Sequence, residues 1–350
     1  DKVGEQYEPY IYNALNTSKI MIVFGEKPEY FVSPWIRNEW TRYIKKIERN
    51  EKRKDSLIVL YKNINPGDLP MALANRQSID YSSFDASTRL LKHIEKVIEE
   101  SKKEDSNLTL SPDKMQEFKK DFDYFENELG KITIERCKNS HERVFIPREI
   151  DGKIVSRIGK ECFIGQSKIK QINLPDSITE IEDLAFSNCQ SLEKIHIPNG
   201  LTEIGEEAFY NTGIVNLTLP KSVKVIGDSA FCHCRNLKIA ELSSGLTSIR
   251  ERAFQDCKEL ERVILPDTLV EIANHAFCNC HFLNHIALPD SLLRIGEHAF
   301  VGAAFDHITI PSKIKHIEWG TFDYCRLSSI SLPDGLETIG NDAFRFSEIE

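Results

Sequence analysis

No stretch of about 18 apolar residues occurs anywhere in the 350 residues, so no membrane-spanning helix is expected. An excess of basic charge is also missing. Lys and Arg total 45 against 54 Asp and Glu, a net charge of -9, and a nucleic-acid partner would need a strongly basic face. The basic run from Arg42 to Lys54 reads as one solvated helix face. Paired cysteines are the third absence. The nine cysteines are an odd set without a disulfide spacing pattern, which argues for a reducing, cytoplasmic setting. The chain begins at Asp1 without Met and stops at Glu350 inside what reads as a further repeat, so a fragment is expected at both ends.

What is present is periodic. Phe163, Phe186, Phe209, Phe231, Phe254, Phe277, Phe300, Phe322 and Phe344 each follow the last by 22 or 23 residues. A period in this range means stacked supersecondary units that each touch only their neighbours, a solenoid. The shared pattern is L-x-x-I-x-[LI]-P followed by [LIV]-x-x-I-G-x-x-A-F-x-x-C, complete in Leu192, Ile195, Ile197, Pro198, Leu201, Ile204, Gly205, Ala208 and Phe209, with Thr212 in place of Cys. Alternation at Ile195 and Ile197 predicts a short half-buried strand that Pro198 ends. Gly205 is expected to permit the following turn, and Phe209 to close the apolar layer at about 2 to 3 kcal/mol per ring.

Cys189, Cys234, Cys257, Cys280 and Cys325 stand three residues after a repeat Phe and form a column. Free Cys packs as a small hydrophobe, and the C-x-C spacing of Cys232 with Cys234 and of Cys278 with Cys280 is too close for a structural zinc pair, so no metal is expected. Outward strand positions supply the candidate binding face: Lys194, His196, Glu241, Arg262, His285 and His307, beside Asn173, Thr218, Ile264, Ala287, Thr309 and Ser331. Their mixed chemistry names neither a protein nor a small-molecule ligand. His285 and His307 form a metal pair or, more simply, two solvated imidazoles.

This repeat resembles the BspA-type leucine-rich repeat over about residues 131–350, with Gly152 to Val155 similar to that family's opening unit. Departures are local: Ser243 replaces Pro, and Arg250 and Ala273 replace Gly.

Before the repeats, residues 101–110 are polar and read as a linker. Ser111-Pro112-Asp113 predicts a helix start, and Met115, Phe118, Phe122, Phe125 and Leu129 recur at helical spacing up to a stop at Gly130. A connector spanning 104–130 is expected, with its helix covering the open end of the solenoid or clamping two domains.

Residues 1–103 carry apolar runs at 19–24 and 57–61 and a third strand signal at 77–81, separated by helical segments at 35–52 and 86–100 and preceded by one at 5–16. That order implies a largely parallel sheet flanked by helices. Within it, Ser33, Trp35 and Glu39 make S-x-W-x-x-x-E at the start of a helix, and Leu69-Pro70, Leu73 and Ile79-Asp80 follow. This stretch resembles the Toll/interleukin-1 receptor (TIR) domain, with that family's first strand, helix and second strand missing. The fold class implied is α/β, a partial flavodoxin-like TIR domain followed by a β-rich leucine-rich-repeat solenoid.

The resemblance implies hydrolysis of NAD+ at the nicotinamide-ribose bond, with NAD+ as substrate and no cofactor, and self-association with other TIR domains. Glu39 is then the catalytic carboxylate, with Trp35 walling the pocket and Ser33 near it. By spacing alone Glu39 equally fits a solvated carboxylate pairing with Arg42 or Tyr43, and Ser33 before Pro34 fits a helix cap. The alternative function is a TIR scaffold without turnover.

Overall fold

The computed structural model describes residues 110–349 and three shorter segments, 21–25, 57–61 and 77–80. The chain divides into two compact units, Asp1–Asn107 and Leu108–Glu350.

In the first unit the three segments are strands β1 (Met21–Gly25), β2 (Leu57–Tyr61) and β3 (Gln77–Asp80). They pair in parallel in that order, with Met21 opposite Leu57 and Ile58 opposite Gln77. Leu57 and Ile58 are fully buried, as continuous apolar runs in parallel sheets require. The strands therefore fall where the apolar runs put them. The helices expected at 5–16, 35–52 and 86–100 lie outside the described residues, as do Ser33, Trp35 and Glu39.

The second unit opens with α1 (Pro112–Asp121), with Pro in its first turn, Asp113 at its positive end and Lys119 and Lys120 at its negative end. Ser111 holds the N-cap position, but its side chain makes no cap hydrogen bond. The helix stops eight residues short of Leu129. Phe122 turns to extended backbone, and β4 (Phe122–Glu126) pairs antiparallel with β5 (Ile132–Cys137) through a turn in which Gly130 takes a φ of 70°.

The expected helical stripe is corrected for a physical reason. Met115, Phe118 and Phe122 do face one core, but beyond them β5 offers Phe122–Glu126 a ladder of backbone partners, interrupted by a register shift between Asp123 and Tyr124, leaving Phe125 and Leu129 exposed. The element still covers the solenoid's first turn. Phe118 stacks on Phe122 at 4.4 Å, and Phe122 meets Phe163 edge-on at 5.9 Å, so the capping role holds with a helix and strand in place of one helix.

From there the chain coils with two strands per turn. One series is three residues long, as in Lys194–His196, Ile239–Glu241 and Arg262–Ile264, shortened to two at His285–Ile286, and the other is two, as in Glu180–Ile181 and Glu203–Ile204. Neighbouring turns pair in parallel and in register, Ile195 beside Ile172 and Ala240 beside Val263, so identical repeat positions stack into columns. A third backbone ladder runs through the turns bearing the phenylalanines. The Phe186 N–H donates to Ala208 O at 2.7 Å, Phe209 to Ala230 at 2.8 Å and Phe254 to Ala276 at 2.9 Å.

Those turns contain a regularity that hydrophobic patterning did not reveal. Two residues before each repeat Phe and two after it, the backbone is left-handed: Leu184 and Asn188 around Phe186, Arg252 and Asp256 around Phe254, His275 and Asn279 around Phe277. Asn, Asp, His and Gly fill most of the later positions, the residue types that tolerate this region best.

The repeat glycine has a different role from the one expected. Gly227 does not take a positive φ; a Cβ there would lie 2.5 Å from the Glu206 backbone N, so the turns are stacked too closely for a side chain.

Candidate functional site

The interior is closed to chemistry. Eight ring pairs link the nine phenylalanines, with centroids 5.0 Å apart at Phe163 and Phe186, rising to 5.6 Å at Phe322 and Phe344, and nearly parallel planes. Beside them the column cysteines donate back to the preceding turn: Cys189 Sγ to Phe163 O at 3.0 Å, Cys257 to Phe231 O at 3.2 Å, Cys325 to Phe300 O at 3.1 Å. Burial pushes the thiols of Cys189 and Cys325 up to about 12 and that of Cys234 to about 11, and holds Cys257 and Cys280 well above their ordinary value.

A thiol so placed is neither a nucleophile nor a ready metal ligand. All nine cysteines are free, and among the described residues no group of three metal-ligating side chains converges. The column is core packing, as its spacing predicts.

The outward face of the three-residue strands carries the candidate binding residues. Its alternation is the ordinary one for a half-buried strand: Ala240 points inward and is fully buried, while Ile239 and Glu241 point out. The structure puts Lys194 and His196 on one strand and Arg262 directly beside His285 on neighbouring turns. It also adds Arg143, in register with Gln171 and then Lys194, which the repeat pattern missed because the first coil departs from consensus.

His285 and His307 do not form a pair with each other. His285 Nδ1 contacts Asn284 Oδ1, and His307 Nδ1 lies 2.9 Å from Ser329 Oγ with its Nε2 3.3 Å from Thr309 Oγ1. Glu241 is half-buried between Thr218 and Ile264, its Oε2 without a hydrogen-bond partner, and burial raises its carboxyl above the usual range.

The imidazoles that do stack are on the turn side, unforeseen from sequence. His275 and His298 lie 5.1 Å apart with planes 15° from parallel, and Trp319 meets His298 edge-on at 4.6 Å. Burial first, then His298 and Arg252, lower the His275 pKa. No helix among the described residues is long and apolar enough to cross a membrane.

Comparison with known proteins agrees with this geometry. The family model described as the BspA type leucine rich repeat region matches residues 156–284 and 270–350, and no TIR domain is found. A leucine-rich repeat protein from Bacteroides ovatus is 27% identical, with 63% of this chain and 66% of that one covered and a TM-score of 0.50. The T. pallidum leucine-rich repeat protein is 31% identical over 52% of this chain and 86% of that one, also with a TM-score of 0.50. A leucine-rich cell surface protein from Faecalibacterium prausnitzii is 26% identical, covering 64% and 72%, at a TM-score of 0.49. This chain thus spans about two thirds of the Bacteroides ovatus protein, and no curated protein matches it. Over more than half its length, with periodic Phe and Cys columns and paired strands in each turn, the chain belongs to the BspA-type leucine-rich repeat family.

Proposed function

We propose that this chain is a TIR-type signalling effector whose repeats recognise a ligand through the outward strand face and thereby control NAD+ cleavage by the N-terminal unit. The observation that carries the recognition half is the division of the solenoid's faces. Phe and Cys columns fill the interior, while the three-residue strands present Lys194, His196, Arg262, His285 and His307 to the surface. Residues that stack in register and face outward suit an extended protein-binding surface.

The effector half rests on S-x-W-x-x-x-E at Ser33, Trp35 and Glu39 and is supported by the three parallel strands of the first unit. In the proposed reaction the bond from ribose C1′ to the nicotinamide nitrogen breaks, and nicotinamide leaves as a neutral molecule. Water adds to C1′ and releases a proton, giving ADP-ribose. Positive charge builds on the ribose as the bond lengthens, and the Glu39 carboxylate stabilises it, as carboxylates do in glycoside hydrolysis. Trp35 walls the pocket, and Ser33 binds substrate or caps the helix.

Activity requires TIR units to come together, and ligand on the repeats supplies that. The free, buried cysteines support a cytoplasmic setting. The second reading, a TIR scaffold that signals through TIR-TIR and repeat contacts without turnover, follows if the carboxylate is idle.

Nicotinamide release from NAD+ by the full-length protein, dilute and clustered on beads, separates the two. Release by wild type that Glu39→Ala abolishes supports hydrolysis; no release even when clustered, or equal release by the variant, removes it. The recognition half is tested apart from catalysis, by photo-crosslinking from outward strand positions.

A further inference from the structure

Charge on the outward strand face runs against that of the whole chain. The chain is acidic, at -9, and the first position of the two-residue strands is mixed, with Glu180, Glu203 and Glu271 alongside Arg294 and His316. The first outward column of the three-residue strands instead holds Arg143, Lys194, Arg262, His285 and His307 and no carboxylate. The second outward column adds His196 and the one acid, Glu241.

These cations are also unspent. Among the described residues Arg143, Lys194 and Arg262 enter no ion pair, whereas Arg157, Arg294, Lys315 and Arg345 elsewhere on the solenoid are paired with carboxylates. Acids adjoin the strip in sequence and are partly engaged elsewhere: Glu142 pairs with Lys170, and Asp306 accepts from Ser328 Oγ. Glu193 and Glu261 are the exposed chain neighbours of Lys194 and Arg262. Arg262 and His285 stand on adjacent rungs about 4.8 Å apart, where their fields add, while Gln171 lies between Arg143 and Lys194, and Asn216 and Ile239 fill the column positions between Lys194 and Arg262.

We propose that this face docks an acidic polypeptide segment and holds it more tightly in acid. The inference rests on the reading of the strand face as a protein-binding surface and gives that partner its chemistry. Histidine is the side chain whose ordinary charge change falls between pH 5 and 8, and three of the six cations here are imidazoles.

Each imidazole has both polar and charged neighbours. His285 has Arg262 beside it in register, Glu261 one step beyond and Asn284 on its Nδ1. His307 has the hydroxyls of Ser329, Thr309 and Ser331, with Asp306 preceding it. His196 lies opposite Asn173, on the strand of Lys194 with Glu193 next. Carboxylates of the partner stay ionised down to about pH 4.5, so attraction grows as the imidazoles protonate.

The test uses fluorescein-labelled hexaglutamate and the full chain, read by fluorescence anisotropy in 50 mM salt. Affinity is expected to rise about tenfold from pH 7.5 to pH 5.5 and to weaken steeply with added salt. Lys194→Glu with Arg262→Glu should lose at least fivefold. The control pair Lys221→Glu with Lys258→Glu, which changes net charge equally on exposed residues outside the two outward columns, should bind like wild type. His285→Gln with His307→Gln should flatten the pH dependence, and Arg262→Gln repeats the test with a milder change should the reversal perturb folding.

Absent hexaglutamate binding, an equal loss in the control pair, or an unchanged pH dependence in the histidine variant overturns the proposal. Binding of a heparin fragment without hexaglutamate overturns it too, in favour of a sulfated glycan. If strand-face crosslinks persist while hexaglutamate fails, the face remains an interaction surface and only its charge assignment falls.

Discussion

Replacing Phe254 by Ala is the sharpest perturbation of this solenoid. The ring is fully buried, with Phe231 at 5.3 Å on one side and Phe277 at 5.4 Å on the other, both within 7° of parallel. Removing it takes away its transfer energy and leaves a cavity that stacked backbones on both sides hinder from collapsing. A cost of about 3 to 5 kcal/mol follows.

Phe282, by contrast, is an exposed phenylalanine outside the stacked column. Its replacement should cost about 0.5 kcal/mol or less, as for a surface side chain. In a one-dimensional stack the central change also uncouples two arms, so urea unfolding of Phe254→Ala should broaden or split into two transitions. Circular dichroism across a urea series, with hydrogen exchange to locate the early transition, measures both. Equal losses for the two variants, with both transitions sharp, would refute the stacked-column account of stability.

Three further outcomes follow from single contacts. Native column thiols should resist iodoacetamide at pH 8, with half-buried Cys278, itself pushed up to about 11, the first to react by mass spectrometry; rapid labelling of Cys257 would contradict its burial. Gly227→Ala should lower the unfolding free energy from urea titration by about 1 to 3 kcal/mol because its Cβ meets backbone at 2.5 Å, while Gly335→Ala, with its nearest neighbour at 4.0 Å, should be nearly silent. His275 has a folded pKa below its unfolded value, so the native state binds fewer protons. Its contribution is present above about pH 6.5 and is lost as pH falls towards the lowered value; thermal melts at pH 7.5 and 5.5 should show an acid loss that His275→Gln reduces.

Columns were legible in the sequence because the period makes them so. Any residue type that recurs every 22 or 23 positions in a parallel stack must touch its own copy, which is why the Phe and Cys columns, and strands such as Lys194–His196, could be read before any coordinates. The parallel strands at 21–25, 57–61 and 77–80 were legible for another reason: short apolar runs bounded by polar residues have few other uses.

What the sequence hid depends on partners far along the chain. Phe118 and Phe122 keep the spacing of a helix, and only the presence of β5 alongside decides that Phe122 begins a strand. The glycine column was misread as a turn requirement because a close approach between turns leaves no mark in one repeat. The stacked His275 and His298 escaped notice because one pair of like residues does not make a periodic column. Arg143 was missed because the strands Glu149–Ile150 and Lys153–Ile158 pair as an extra hairpin in its coil, so its strand breaks the 22- or 23-residue spacing to Gln171.

The central claim is that the outward strand face is the recognition surface and the Phe-bearing turns are structural. A photo-crosslinking side chain placed at Asn216 or Thr309, on the strand face, and separately at Gln255 or Val301, on the turns, tests it in the full chain within its native cells. The account predicts one discrete crosslinked species from the strand positions, suppressed by Lys194→Glu with Arg262→Glu, and none from the turns. The same species from the turn positions, unaffected by those substitutions, would contradict it.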